Sequence, residues 1–173
     1  MEQVPLDADE RFSQPFCPHC GSRLVLREQP EDGPEPWCPV CGTWRYPGFS
    51  TACSMIVLDP SSERVLLIDQ YGKRGILVAG YVPKGESLEK TVRREVAEEV
   101  GLELTDLQFN SSEYFSPSNT LMVNFACHAA SADVRPDHEV DAWRWVGRGE
   151  VLDSMLQGSL AQEFVRRYLH KRA

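Results

Sequence analysis

Apolar and polar residues alternate in short runs along much of the chain, and these runs predict β-strands. Two runs, at 51–58 and 65–68, flank an Asp59-Pro60-Ser61-Ser62 turn, and a third run at 76–82 is interrupted by Gly80. The remaining strand-like runs lie at 24–26, 104–109, 120–128 and 142–146. After the first of these comes QPEDGPEP, which is rich in proline and acid and predicts a loop.

Two stretches have the helical period instead. Leu88, Val92 and Val96 recur every four residues among charged neighbours, so one amphipathic helix is expected from Ser87 to Val100. Gly101 suits the left-handed position that follows a helix end. A final helix is expected over 160–170. Strands and helices together predict a mixed α/β protein.

Length and charge restrict what such a protein does. The chain has 173 residues, enough for about one domain and a small appendage. Its net charge of −8 and pI near 5.0 oppose nonspecific binding to nucleic acid, and an anionic substrate would need a recruited cation. There is no apolar run of membrane-spanning length, and the acidic N-terminus lacks a signal core. We expect a soluble cytoplasmic protein with no membrane partner.

Four of the six cysteines form two C-x-x-C pairs, Cys17/Cys20 and Cys38/Cys41, separated by 17 residues. Thiolates at this spacing complete a tetrahedral shell that Zn²⁺ accepts, and four protein ligands close the site to substrate. The pairs predict a structural zinc ribbon within residues 1–48, with a larger domain over 49–173. A disulfide framework is the alternative, but the absence of a secretory signal disfavours it.

The other residues near this chemistry are assigned no role. Cys53 and Cys127 lie in apolar strands, where a buried, inert thiol is expected. His19 lies inside the first C-x-x-C pair, whose metal the four thiolates already satisfy.

The predicted helix at 87–100 carries an unusual set of acids. Glu95, Glu98 and Glu99 project from one face, close enough to share a cation. A solvated acidic face is the alternative. However, a loop containing Gly80 and Gly85 precedes the helix with Glu86 at its entrance, and convergence of these groups favours a hard cation such as Mg²⁺ bridged to substrate phosphates.

This stretch resembles the Nudix box. The match runs from Gly80 through Glu86 to Arg94-Glu95-Val96-x-Glu98-Glu99-x-Gly101-Leu102, fills every fixed position and covers 23 of 173 residues. The resemblance implies an α/β/α sandwich with a mixed sheet, which hydrolyses a nucleoside diphosphate linked to another moiety with Mg²⁺ or Mn²⁺.

The resemblance also implies roles for the residues of the box. Glu95, Glu98 and Glu99 would hold the metals, and Arg94 would fix a carboxylate by charge pairing. Each of the three glutamates is a candidate general base, and we favour Glu99 as the central catalytic carboxylate.

A Cys₄ ribbon before a Nudix domain resembles the NADH pyrophosphatases, whose box is followed by Ser-Gln-Pro-Trp-Pro-Phe-Pro-x-Ser-x-Met. The corresponding segment here is SEYFSPSNTLM at 112–122. Phe115 replaces the tryptophan and remains able to stack on a base, whereas Glu113 and Tyr114 depart from the motif. The 17-residue spacing between the cysteine pairs resembles a second group of ribbon-containing Nudix enzymes, which acts on FAD and ADP-ribose.

Three further residues are assigned by the same resemblance. Glu139, in a Glu-Val…Trp145 element, would supply an additional metal carboxylate; an exposed loop charge is the alternative. Ala161, in Gly158-Ser159-Leu160-Ala161, would place its backbone near the substrate base. Tyr46, just after the ribbon, would line the pocket.

We therefore expect metal-dependent hydrolysis of a nucleotide-containing dinucleotide, with NADH or NAD cleaved to NMN(H) and AMP. FAD or ADP-ribose is the alternative substrate. NAD-capped RNA 5′ ends are included in the NADH and NAD class. The resemblance is also compatible with a homodimer. A non-catalytic binding module built from ribbon and Nudix scaffold is the alternative from another class, and the complete carboxylate set argues against it.

Overall fold

The computed structural model describes residues 14–171, which form two compact units divided after Phe49. We call residues 14–49 the ribbon unit and residues 50–171 the sheet unit. Within the described range, no helix is both long enough and apolar enough to cross a lipid bilayer.

The ribbon unit is a three-stranded antiparallel sheet. Its strands are β1 (Val25–Gln29), β2 (Gly33–Cys38) and β3 (Thr43–Trp44), in the order β1-β2-β3. The prediction of a loop over QPEDGPEP was wrong for its second half, because residues 33–36 belong to β2. A proline lacks the N–H that a strand donates but keeps its carbonyl, and Pro36 O accepts a hydrogen bond from Arg45 N at 2.8 Å. The sheet thus uses the one hydrogen-bonding group that proline offers.

The sheet unit contains seven strands, three α-helices and a short 3₁₀ helix at Ser116–Ser118. The strands are β4 (Ser50–Leu58), β5 (Arg64–Gln70), β6 (Lys73–Ile76), β7 (Val78–Tyr81), β8 (Leu104–Phe115), β9 (Thr120–Ala129) and β10 (Ala142–Gly147). The helices are α1 (Leu88–Val100), α2 (Val151–Ser154) and α3 (Leu160–His170). The main path of the sheet is β10-β5-β4-β9-β8, with β6 paired to β5 and β7 paired to β4. Strands β4 and β9 are parallel and their neighbours are antiparallel, so the sheet is mixed.

Alternate residues of β4 face two separate cores. Met55 and Val57 pack with Val92 and Val96 of α1 on one face of the sheet. Ile56 and Leu58 pack on the other face, in the core that also contains residues of α2 and α3. Helices therefore cover both faces, and the predicted α/β/α sandwich is confirmed.

Other predicted elements of the sheet unit also differ from the structure. Strand β8 continues to Phe115, six residues past its predicted end at 109, because it pairs with β9 along its whole length. Gly80 lies inside β7, and the interruption falls at Leu77 instead. The short helix α2 was not predicted, since a four-residue element has no measurable period.

Helix α1 has well-defined ends. The Ser87 side chain accepts a hydrogen bond from Lys90 N at the N-terminus, and Gly101 closes the C-terminus in the left-handed conformation at φ 66°. A Cβ at position 101 would lie 2.8 Å from Arg135 O, so both the dihedral and the space require glycine there. The acidic face of α1 is thereby fixed relative to the loop that contains Arg135.

The turn between β4 and β5 is organised by the buried Asp59. Its carboxylate accepts hydrogen bonds from the backbone N–H groups of Glu63 and Arg64 and from the side chains of Ser61 and Arg64. Burial alone would raise the pKa of Asp59, but these hydrogen bonds and the Arg64 charge hold it below its ordinary value.

Replacing Asp59 by Ala is expected to lower the free energy of unfolding by about 1–3 kcal/mol at pH 7, because buried donors lose a charged acceptor. Since the folded pKa is depressed, this stabilisation is complete above the unfolded pKa of about 4 and is lost as the pH falls through the folded pKa. Urea unfolding at pH 7 and below pH 4 measures both effects. Asp133→Ala is the control, because it removes only an exposed ion pair with Arg135. Equal losses in the two variants would contradict the role of Asp59.

Candidate active site

The carboxylate of Glu95 lies directly against the backbone of Gly80. A Cβ built on Gly80 would be 2.0 Å from Glu95 Cδ and 2.1 Å from Oε1, so no other residue fits at position 80 without moving this carboxylate. Strand β7 and helix α1 pack together at this point. Gly80 therefore forms a cradle that holds Glu95 close to the sheet.

Arg94 joins three carboxylates. Its guanidinium donates to Glu86 through Nη2 at 3.0 Å, to Glu95 through Nη1 at 2.8 Å and to Glu98 through Nη1 at 3.0 Å. Glu86 also accepts a hydrogen bond from Thr91 Oγ1 at 2.7 Å. Its pKa is lowered, first by Arg94 and then by Thr91. Arg94 thus holds the loop before α1 and the Glu95 and Glu98 carboxylates of α1 in one arrangement.

Glu99 has a different environment from the other acids of α1. It is only 6% exposed, and its Oε2 atom has no hydrogen-bond partner. Burial raises its pKa to about 8, assisted by the negative charges of Glu95, Glu139, Asp137 and Glu98. A buried carboxylate surrounded by other carboxylates is costly unless a cation compensates it.

Glu139 reaches this cluster from a loop that is tied to the end of α1. Asp137 N donates to Glu99 O at 3.0 Å, and Glu139 N donates to Asp137 Oδ1 at 2.8 Å. Ala142, three residues further on, begins the pairing of β10 with β5. The loop between β9 and β10 thereby brings Glu139 close enough to raise the pKa of Glu99.

These residues fit a hard divalent cation. The unpartnered Glu99 Oε2 is a free acceptor, Gly80 leaves room for the Glu95 carboxylate, and the donor set consists of oxygen atoms alone. Within residues 14–171, the carboxylates do not form a set of three ligand atoms lying within 4.8 Å of one another. Mg²⁺ does not require such a set, because it keeps several waters and binds through one or two carboxylates.

The four predicted cysteines do form such a set. Their Sγ atoms all lie within 4.8 Å of one another, with Cys17 4.0 Å from Cys41 and Cys20 3.5 Å from Cys38. None of them is in a disulfide. Arg45 Nε donates to Cys17 Sγ at 3.2 Å. Burial would raise the pKa of Cys17, but this hydrogen bond and nearby backbone donors lower it to about 5, which favours the thiolate that binds metal.

Glu113 and Phe115 lie on the face of the sheet opposite to α1. Glu113 pairs with Met122 and Phe115 with Thr120, in the same alternation that places Asn124 on the α3 side. Glu113 Oε2 accepts a hydrogen bond from Arg167 of α3 at 3.0 Å. The carboxylate that departs from the dinucleotide motif thus has an ion-pair partner within the protein.

The two remaining predicted residues lie in different units. Ala161 is partly buried in the first turn of α3, against the core on that face of the sheet. Tyr46 belongs to the ribbon unit, where its exposed hydroxyl accepts a hydrogen bond from Gln29 Nε2 at 2.9 Å. Their contacts with substrate stay predictions.

Sequence reasoning missed Asp137 and Tyr71. Tyr71 Oη donates a hydrogen bond to Glu139 Oε2 at 2.8 Å, across 68 positions in the sequence. The hydrogen bond to this carboxylate raises the pKa of the phenol. No motif spacing in the chain links a tyrosine at 71 with an acid at 139, so only the pairing of β5 with β10 reveals the contact.

Comparison with known proteins gives one family. Residues 48–168 match the family model described as the NUDIX domain. The NAD-capped RNA hydrolase NudC of Pseudomonas aeruginosa is 33% identical over 162 residues, which cover 91% of this chain and 56% of that protein. The NAD-capped RNA hydrolase NUDT12 of Homo sapiens is 31% identical over 163 residues, which cover 87% of this chain and 34% of that protein. The chain thus spans about half the length of the first relative and a third of the second.

Solved structures share the fold. A NUDIX hydrolase from Nitrosomonas europaea superposes with a TM-score of 0.68 and 23% identity, and the match covers 92% of both chains. The shared fold agrees with the resemblance drawn from the sequence.

Proposed function

The chain belongs to the Nudix family, and from that premise we propose that it hydrolyses the pyrophosphate bond of a nucleotide-containing dinucleotide, most favourably NADH or NAD, to NMN(H) and AMP. The observation that carries the proposal is Glu99. Its buried Oε2 has no partner and faces a cluster of like charges, as expected for a carboxylate whose partner is a divalent cation.

Glu95, Glu98, Glu99 and Glu139 would hold Mg²⁺ or Mn²⁺. When bound there, the metal neutralises charge on the phosphate oxygens and lowers the pKa of a coordinated water. Gly80 fixes the position of Glu95, and Arg94 fixes Glu95 and Glu98. We favour Glu99 as the central catalytic carboxylate, because its Oε2 is buried, has no partner in the protein and lies among the other acids of the cluster.

We also propose Zn²⁺ as the ion of the cysteine cluster. Four thiolates select a soft or borderline metal, and they leave no open position for substrate. The role of that metal is to stabilise the ribbon unit, whose own core consists of few residues.

The NAD branch of the proposal rests on the relatives. Both NudC of Pseudomonas aeruginosa and human NUDT12 are named as NAD-capped RNA hydrolases, and the chain aligns with each over most of its own length. FAD and ADP-ribose are the alternative substrates, because segment 112–122 departs from the dinucleotide motif at Glu113 and Tyr114.

A substrate panel tests the function directly. The purified chain is incubated with NADH, NAD, FAD, ADP-ribose and an NAD-capped RNA oligonucleotide, each with Mg²⁺ or Mn²⁺, and the products are separated by chromatography. We expect AMP and NMN(H) from NADH, at a kcat/KM above that for FAD and ADP-ribose. Absence of hydrolysis of all five compounds with either metal would overturn the proposal.

Substitutions in segment 112–122 test the choice of substrate. If Phe115 stacks on a base, Phe115→Ala is expected to raise KM for NADH about fivefold, equivalent to ~1 kcal/mol, with kcat little changed. Glu113→Gln restores the motif amide and is expected to shift preference toward NADH. The alternative for Glu113 is an ion pair with Arg167 only, in which case neither Glu113→Gln nor Arg167→Gln changes the relative activities on the substrate panel. Wild-type kinetics in both Phe115→Ala and Glu113→Gln would exclude the segment from the pocket.

A further inference from the structure

Tyr71 occupies a backbone conformation that tyrosine disfavours. Gln70 pairs with Lys73, so Tyr71 and Gly72 form a two-residue hairpin loop between β5 and β6. Both have positive φ, 51° for Tyr71 and 74° for Gly72, which is the pattern of a type I′ turn. The first position of such a turn favours Asn, Asp or Gly, because a bulky side chain is strained there. The fold would therefore be more stable with another residue at 71.

Burial of the Tyr71 side chain does not offset this strain. It is 74% exposed, so its ring contributes little to the core. The polar contact that the structure gives it is the hydrogen bond from Oη to Glu139 Oε2 at 2.8 Å. Strained residues persist where function needs them, and Glu139 lies in the carboxylate cluster around Glu99.

From the contact and the strain together we propose that Tyr71 is a positioning residue, which holds the Glu139 carboxylate in the orientation that a divalent cation requires. The inference rests on the proposed function, in which Glu139 is a metal ligand. The phenol donates to Oε2, which leaves Oε1 to coordinate the cation. Residues that hydrogen-bond to a metal ligand orient that ligand, and removing them typically weakens the affinity for the metal by 10–100-fold.

The test measures Mn²⁺ binding to the full chain without substrate, by the electron paramagnetic resonance signal of free Mn²⁺. Wild type is compared with Tyr71→Phe, Glu139→Gln and the double variant. We expect Tyr71→Phe to raise the dissociation constant of Mn²⁺ about tenfold while the ring stays in place. Because Tyr71 acts through Glu139, the double variant should bind Mn²⁺ no more weakly than Glu139→Gln alone.

Tyr71→Asn separates positioning from a structural role. Asn adopts positive φ more readily, so this variant is expected to have a higher Tm than wild type in the absence of metal, yet to bind Mn²⁺ about as weakly as Tyr71→Phe. A residue that served only the turn would show unchanged Mn²⁺ binding in both variants.

The outcomes of these measurements distinguish a failure of the role of Tyr71 from a failure of the proposed metal site. Wild-type Mn²⁺ affinity in Tyr71→Phe, together with weakened binding in Glu139→Gln, overturns the role of Tyr71 and leaves the metal site standing. Wild-type affinity in Glu139→Gln removes Glu139 from the proposed metal site, and the role of Tyr71 fails with it.

Discussion

Replacing Glu99 by Gln is expected to lower the turnover of NADH by two or more orders of magnitude, about 3 kcal/mol or more of transition-state stabilisation. Glutamine keeps the size of the side chain but removes the charge that binds metal and the base that accepts a proton. Glu99 Oε2 has no hydrogen-bond partner in the protein, so replacement by the amide breaks no hydrogen bond at that atom. Steady-state kinetics at saturating Mg²⁺ and Mn²⁺ measure the loss.

Glu89→Gln is the matched control for Glu99→Gln. Glu89 lies on the same helix, and its replacement by Gln removes the same charge, but Glu89 is exposed in the first turn of α1. Its turnover should stay close to wild type. Circular dichroism of both variants establishes that α1 remains folded. Equal loss of activity in the two variants would mean that the wrong face of α1 had been assigned to the metal.

The core of this site was predictable because its information is local. Glu95, Glu98 and Glu99 are spaced at i, i+3 and i+4, so a helix of any tertiary context places them together. The Ser87 and Gly101 ends of that helix were also readable, since capping depends on the residues at the ends themselves.

Contacts between distant segments were not predictable in this way. Tyr71 meets Glu139 only because β10 pairs with β5, and no periodicity in either segment specifies that register. The strand at 33–38 was missed for another reason. Its prolines contradict strand propensity, and the pairing of β2 with β1 overrides that local preference.

The face occupied by Phe115 is a third case. The motif comparison placed residues 112–122 near the substrate without saying which side of the sheet they cover. Cross-strand pairing with β9 places Phe115 and Glu113 on the α3 side, whereas the carboxylates belong to α1 on the other side. Base stacking by Phe115 therefore requires the base of the substrate to lie on the α3 side of the sheet, opposite to the carboxylates of α1.

The second large effect is expected at the cysteine cluster. The purified, reduced chain should contain about one zinc per molecule, and Cys38→Ser should lose most of it, because Cys38 is fully buried and its Sγ also accepts a hydrogen bond from Cys41 N. Because the ribbon unit has so small a core, metal binding contributes to its folding free energy. Once Cys38→Ser has lost the metal, thiol-reactive reagents should label the remaining cysteines of the ribbon unit rapidly. Elemental analysis and thiol titration measure the two results.

Cys53→Ala is the control for this prediction. Cys53 is as buried as Cys38 but lies in β4, where burial raises the pKa of its thiol to about 11 and keeps it protonated. Its replacement should leave the zinc content at one per chain. A zinc content near zero in freshly purified wild-type protein would contradict the assignment of the cluster, since four cysteine Sγ atoms within 4.8 Å of one another match the closed ligand shell of a structural zinc site.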